Sequence, residues 1–159
     1  MNSIRRNLLV ACLVLAGIAV RAAEKEAGAK DLERLQGEWT MISGLADGTA
    51  VPEEMLRSSS RVCKSNETAV VVGGQLIMRA KFKIDPSKNP KTIDYEVLEG
   101  PAKGGTLLGI YEFEGETVKF CFGAPGQERP PKFGSQLGER RTFSVWQRKK
   151  DAATKPAQK

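Results

Sequence analysis

From Gln75 to Ile84 the chain alternates: Leu76, Met78, Ala80, Phe82 and Ile84 fall in one phase, and Arg79, Lys81 and Lys83 in the other. A period of two places neighbours on opposite faces of an extended chain, so the segment reads as a strand with one buried and one solvated face. The same rhythm recurs in Glu38 to Ser43, Arg61 to Lys64, Thr68 to Val72, Thr92 to Leu98, Thr106 to Glu114, around Val118, Phe120 and Phe122, and in Thr142 to Arg148. Turn signals separate these runs: Ala46-Asp47-Gly48, Gly73-Gly74, Asp85 to Pro90, Gly100 to Gly105, Glu114-Gly115-Glu116, and a Pro/Gly-rich stretch from Gly123 to about Gly138. Eight strands with one polar face each must stack or close, and closure is the simplest way to remove exposed edges. The expected fold is all-β: an eight-stranded antiparallel up-and-down barrel with a short N-terminal helix at Asp31 to Leu35. Asp31 is placed to cap that helix. A two-sheet sandwich is the alternative.

The first 22 residues stand apart. Arg5 and Arg6 precede an apolar run from Leu8 to Val20, and Arg21 ends it. This is the pattern of a secretory signal peptide, with cleavage expected before Ala23 and export to the periplasm or the exterior. The run is shorter than the ~20 residues a membrane span needs, so no span is expected in the mature chain. Leu9-Val10-Ala11-Cys12 resembles a lipobox, but the apolar run continues past Cys12, which argues against lipidation. The domain reading is therefore a signal peptide at 1–22, a polar leader at 23–30, the barrel at 31–148 and a disordered basic tail at 149–159. Much of the excess of 25 Lys and Arg over 19 Asp and Glu lies in the signal and the tail. The remainder is close to neutral, so no basic face for nucleic acid is implied.

Gly37-Glu38-Trp39 after a short helix resembles the Gly-x-Trp opening of lipocalin-like barrels. The resemblance implies that Trp39 plugs the closed end under an arginine from the last strand, with Arg148 first in line and Arg140 or Arg141 behind it. The stretch from Leu35 to Arg148 is similar to an uncharacterised secreted domain family of planctomycete bacteria. The segments that carry it are Leu35 to Trp39, Phe82 to Pro86, Pro90 to Asp94, Leu108 to Glu112 and Ala124 to Pro130. That resemblance implies a lipocalin-like (calycin-type) fold and secretion, and brings no catalytic residue with it.

The chain has no histidine, which removes Ser-His-Asp and Cys-His catalysis and histidine-based zinc sites. Glu53, Glu54, Asp85, Asp94, Glu96, Glu112, Glu114 and Glu116 sit in phases or turns that suit a solvated outer face. Outside the signal, the thiols are Cys63 and Cys121. Cys121 is out of phase with Val118, Phe120 and Phe122 and is expected to face outward with Lys119. Unpaired thiols, or an occasional intermolecular bridge, are therefore expected over one internal disulfide. No enzyme, cofactor or metal site is expected. The candidate ligand-binding set is Trp39, Met41, Met78, Phe82, Tyr95, Tyr111, Phe113 and Phe120, which share the interior phase. Their expected ligand is a small apolar or amphipathic molecule, with Tyr95 and Tyr111 orienting its polar group. The alternative is a non-catalytic structural or protein-interaction domain that acts through the Gly123 to Gly138 loop, where Arg129 is the recognition residue; any protein partner is unknown.

Overall fold

The structure, a computed structural model, describes residues 23–150. Residues 23–35 form helix α1. Strand β1 (Gly37–Ala46) follows and turns into the two-residue β2 (Thr49–Ala50); a single-turn helix α2 (Glu53–Arg57) then leads to β3 (Ser59–Lys64). The remaining strands are β4 (Glu67–Val72), β5 (Gln75–Asp85), β6 (Lys91–Glu99), β7 (Thr106–Glu114), β8 (Thr117–Gly123) and β9 (Arg141–Arg148). From β3 onward each strand pairs antiparallel with its chain neighbour, and β1 pairs with both β3 and β9. The ladder thus closes on itself as an eight-stranded, lipocalin-like up-and-down barrel, with β2 only an extension of the β1 hairpin. Among the described residues no helix is long and apolar enough to cross a membrane.

Register decides which side chains enter the barrel. Trp39 pairs with Arg61, Arg61 with Val70, and Val70 with Met78. Phe82 pairs with Tyr95, Tyr111 with Phe120, and Val118 with Trp146. Residues directly opposite share a face, so these pairs together line the inside. The buried core holds Trp39, Val70, Ala80, Phe82, Ile93, Tyr95, Tyr111, Val118, Phe120, Phe122 and Trp146, with Leu35 added by α1.

Several sequence expectations change. Residues 23–30 are not a separate leader, because α1 runs unbroken from 23 through Leu35. Asp31 therefore does not cap a helix; it sits within one, 5% exposed, with its carboxylate turned to the barrel. Leu76 leaves the interior phase because Ile77 is an extra residue in β5: Val70 pairs with Met78 but Val71 with Leu76. Such a bulge shifts every residue beyond it to the other face. Arg61, on a strand expected to keep one polar face, points inward and is 4% exposed, while Val62 beside it is 44% exposed. Cys121 does lie on the outer side of the wall, yet it is fully buried, because the 124–140 loop folds over it and its thiol donates to the Gly134 carbonyl at 3.2 Å. Burial raises that thiol's pKa above its usual value. Cys63 and Cys121 are both free. Lys149, assigned to the tail, donates from its backbone and its ammonium to Glu38, at 2.9 and 3.0 Å.

Candidate functional site

One end of the barrel is sealed by α1. A helix leaves its last carbonyls without intrahelical partners, and here side chains from β1, β9 and Gln36, just past the helix, take up that duty. The Trp39 indole donates to the Leu35 carbonyl at 3.0 Å, and Gln36 Nε2 to that of Leu32 at 2.7 Å. Arg148 donates from Nη1 to the Gln36 carbonyl at 2.7 Å and from Nη2 to that of Arg34. The Arg148 guanidinium also lies 4.3 Å over the Trp39 ring, so a cation at the helix C-terminus doubles as a lid on the indole. Gly37, at φ +103°, makes the sharp passage from helix to strand in a region that side-chain-bearing residues avoid. Deeper in the seal, Asp31 accepts from the Tyr111 hydroxyl and from Lys91 Nζ, each at 2.7 Å. Burial, then the hydrogen bond and the negative charge of Asp31, hold the Tyr111 phenol well above the ordinary value.

The opposite end is open. A cavity of about 270 Å³ enters there, walled by Met41, Val70, Met78, Leu107, Phe122 and Trp146, with Arg61 and Tyr95 among its lining residues. That volume lies just under the ~300–1,000 Å³ typical of small-molecule sites. Within it, Arg61 Nη1 donates to the Tyr95 hydroxyl oxygen at 2.5 Å and to Thr68 Oγ1 at 3.5 Å. Its guanidinium stands 4.5 Å from the Phe120 ring, 4.6 Å from Trp146 and 5.9 Å from Tyr95. Its Nε is buried and has no hydrogen-bond partner among the described residues. The arginine ion pairs there belong to Arg57, Arg79, Arg129, Arg141 and Arg148, not to Arg61. Burial pushes the Tyr95 phenol up to about 12, although the Arg61 charge pulls the other way. Tyr95 is therefore a neutral hydroxyl throughout the ordinary pH range.

Of the eight side chains the sequence suggested, Met41, Met78 and Tyr95 line this cavity. Trp39, Phe82 and Phe120 are buried core, not cavity wall. Tyr111 and Phe113 stand at the sealed end: Tyr111 is bonded to Asp31, and the Arg34 guanidinium lies 4.0 Å over the Phe113 ring. Tyr111 therefore cannot share the work of orienting a ligand with Tyr95. Arg129 is not a free recognition residue either. Its Nη1 donates to the Gly109 carbonyl at 2.6 Å and lies 2.6 Å from Asp94 Oδ1, which fastens the 124–140 loop to the outer wall. Among the described residues no carboxylate lines the cavity, and no group of three or more acid, cysteine or histidine side chains gathers as a metal site. The sequence reading missed Arg61, because a cation next to an outward valine gives no sign of which one turns inward. Comparison with protein-family models, curated proteins and solved structures returned no match.

Proposed function

We propose that this is an exported, non-enzymatic binding protein that takes a small amphipathic molecule into the open end of its barrel, and that it belongs with the planctomycete-type secreted domains it resembles. The observation that carries the reading is the cavity itself: apolar walls from Met41, Val70, Met78, Leu107 and Phe122 around two converging polar groups, Arg61 and Tyr95. Mostly apolar lining with a few placed polar groups is the ordinary make-up of a small-molecule site. The two methionines give a wall that adapts to shape. Removal from water supplies most of the affinity, at ~25 cal/mol per Å² of apolar area.

Native mass spectrometry of the protein recovered from its own cell envelope tests this reading, followed by titration of apolar and amphipathic compounds against tryptophan fluorescence. Trp146 is part of the cavity wall, so an occupant changes its emission. Protein that carries no ligand and answers to no compound overturns the reading. The same spectrum tests export: the expected mass begins at Ala23, and a mass that includes residues 1–22 or a lipid on Cys12 overturns it. Residues 1–22 lie outside the described residues.

A further inference from the structure

Arg61 poses a problem that the barrel does not solve by itself. A guanidinium stays protonated at any pH a protein meets. Buried charges are normally paired with an opposite charge, yet Arg61 is 4% exposed and one of its nitrogens has no acceptor. Three ring faces and the Tyr95 oxygen replace part of its lost hydration. None of them carries negative charge. The side chain nevertheless borders the cavity, where a molecule entering from the mouth meets it.

We propose that the cavity is a monocarboxylate site, in which the carboxylate of a small apolar acid lies against Arg61 and accepts a second hydrogen bond from the Tyr95 hydroxyl. Tyr95 suits this role, because its oxygen already accepts from Arg61 Nη1 and its own proton remains to be donated. A carboxylate supplies both things the barrel lacks, a negative charge and acceptor oxygens, and guanidinium recognises it in two-point geometry. The single cation matches a monoanion, and no carboxylate in the lining competes with it. At the ~30 Å³ that a water-sized group occupies, 270 Å³ holds on the order of nine such groups. The occupant is therefore a medium-chain fatty acid or an aromatic acid of similar bulk. The tail is taken up by Met41, Met78, Leu107 and Phe122.

This inference rests on the binding function proposed above, and the experiment separates the two. The full exported chain, stripped of any bound lipid, is titrated by calorimetry with octanoate, octan-1-ol and octylamine, which share a tail and differ in headgroup. Octanoate is expected to bind roughly ten- to a hundred-fold more tightly than octanol, the range a charge-assisted hydrogen-bonded contact supplies. Octylamine is expected to bind more weakly than either. Arg61→Met is expected to abolish the preference for octanoate while octanol binding persists, and Tyr95→Phe to reduce it in part. Circular dichroism reports whether each variant is folded. Should Arg61→Met fail to fold, the headgroup ranking of the parent protein decides the matter alone. Octanol or octylamine binding as tightly as octanoate overturns the carboxylate site and leaves the apolar cavity in place. No binding of any of the three overturns both.

Discussion

Asp31→Ala tests whether α1 belongs to the domain. The Asp31 carboxylate, 7% exposed, receives the Tyr111 hydroxyl and the Lys91 ammonium at the sealed end. Removing it has two consequences of different size. Lys91 is 39% exposed, so solvent screens its loss and that pair contributes ~1 kcal/mol or less. Tyr111 is fully buried, so its hydroxyl is left without an acceptor, at about 1–3 kcal/mol. Together the variant should lose ~1–4 kcal/mol, read as a lower urea midpoint at unchanged slope. Tyr111→Phe removes the hydroxyl along with its need for a partner and should cost less. In the double variant no orphaned hydroxyl remains, so the cycle should show a coupling of ~1–2 kcal/mol. If Asp31→Ala stays within ~0.5 kcal/mol of the parent, the range of an ordinary surface change, or if the cycle shows no coupling, then residues 23–35 are an appended leader and the seal described above is wrong.

Gly109→Ala should destabilise the barrel by ~1–3 kcal/mol, because the new Cβ would fall 2.3 Å from the Phe122 ring and 2.9 Å from the Cys121 carbonyl. Phe122 is cavity wall, so ligand titration should weaken in parallel, and an unchanged midpoint refutes the close packing. Arg148→Lys should cost about as much as Arg148→Met, ~1–3 kcal/mol by chemical denaturation, because a lysine cannot bond both the Arg34 and Gln36 carbonyls and lie flat on Trp39. Full rescue by lysine refutes that account. On raising the pH, the unfolded chain releases the Tyr95 proton near 10 while the folded chain holds it to about 12. Stability present below pH 10 should therefore fall by ~2 kcal/mol by pH 12, with Tyr111 acting in the same direction. Tyrosinate absorbance that rises with an ordinary midpoint near 10 in the folded protein refutes it. Cys121, covered by the 124–140 loop, should react with a thiol reagent only as fast as that loop opens; immediate reaction in the native protein refutes the covering.

The all-β barrel was legible in the chain because alternation is a local property. Side chains two apart must share a face, so Phe82 with Ala80, and Phe120 with Val118, announce a wall before any partner strand is known. Glycine pairs and prolines mark the ends for equally local reasons. Trp39 at the closed end was suggested by the resemblance of Gly37-Glu38-Trp39 to the opening of lipocalin-like barrels; the positive φ of Gly37 that lets helix pass into strand came only with the structure. The site was not legible to the same degree. Met41, Met78 and Tyr95 share their phase with Tyr111 and Phe113, and period two says nothing about which end of a barrel a residue reaches. Depth was decided by register: Lys91 pairs with Tyr111 at the end that α1 seals, whereas Tyr95 pairs with Leu107 toward the open end. In Ser60-Arg61-Val62-Cys63 hydropathy places valine inside, but pairing of Arg61 with Trp39 and Val70 turns the arginine in. Strand pairing is a contact between distant segments, and one residue of slip exchanges the two faces. The walls were thus written locally, and the charge at the floor of the cavity came from the way the strands met.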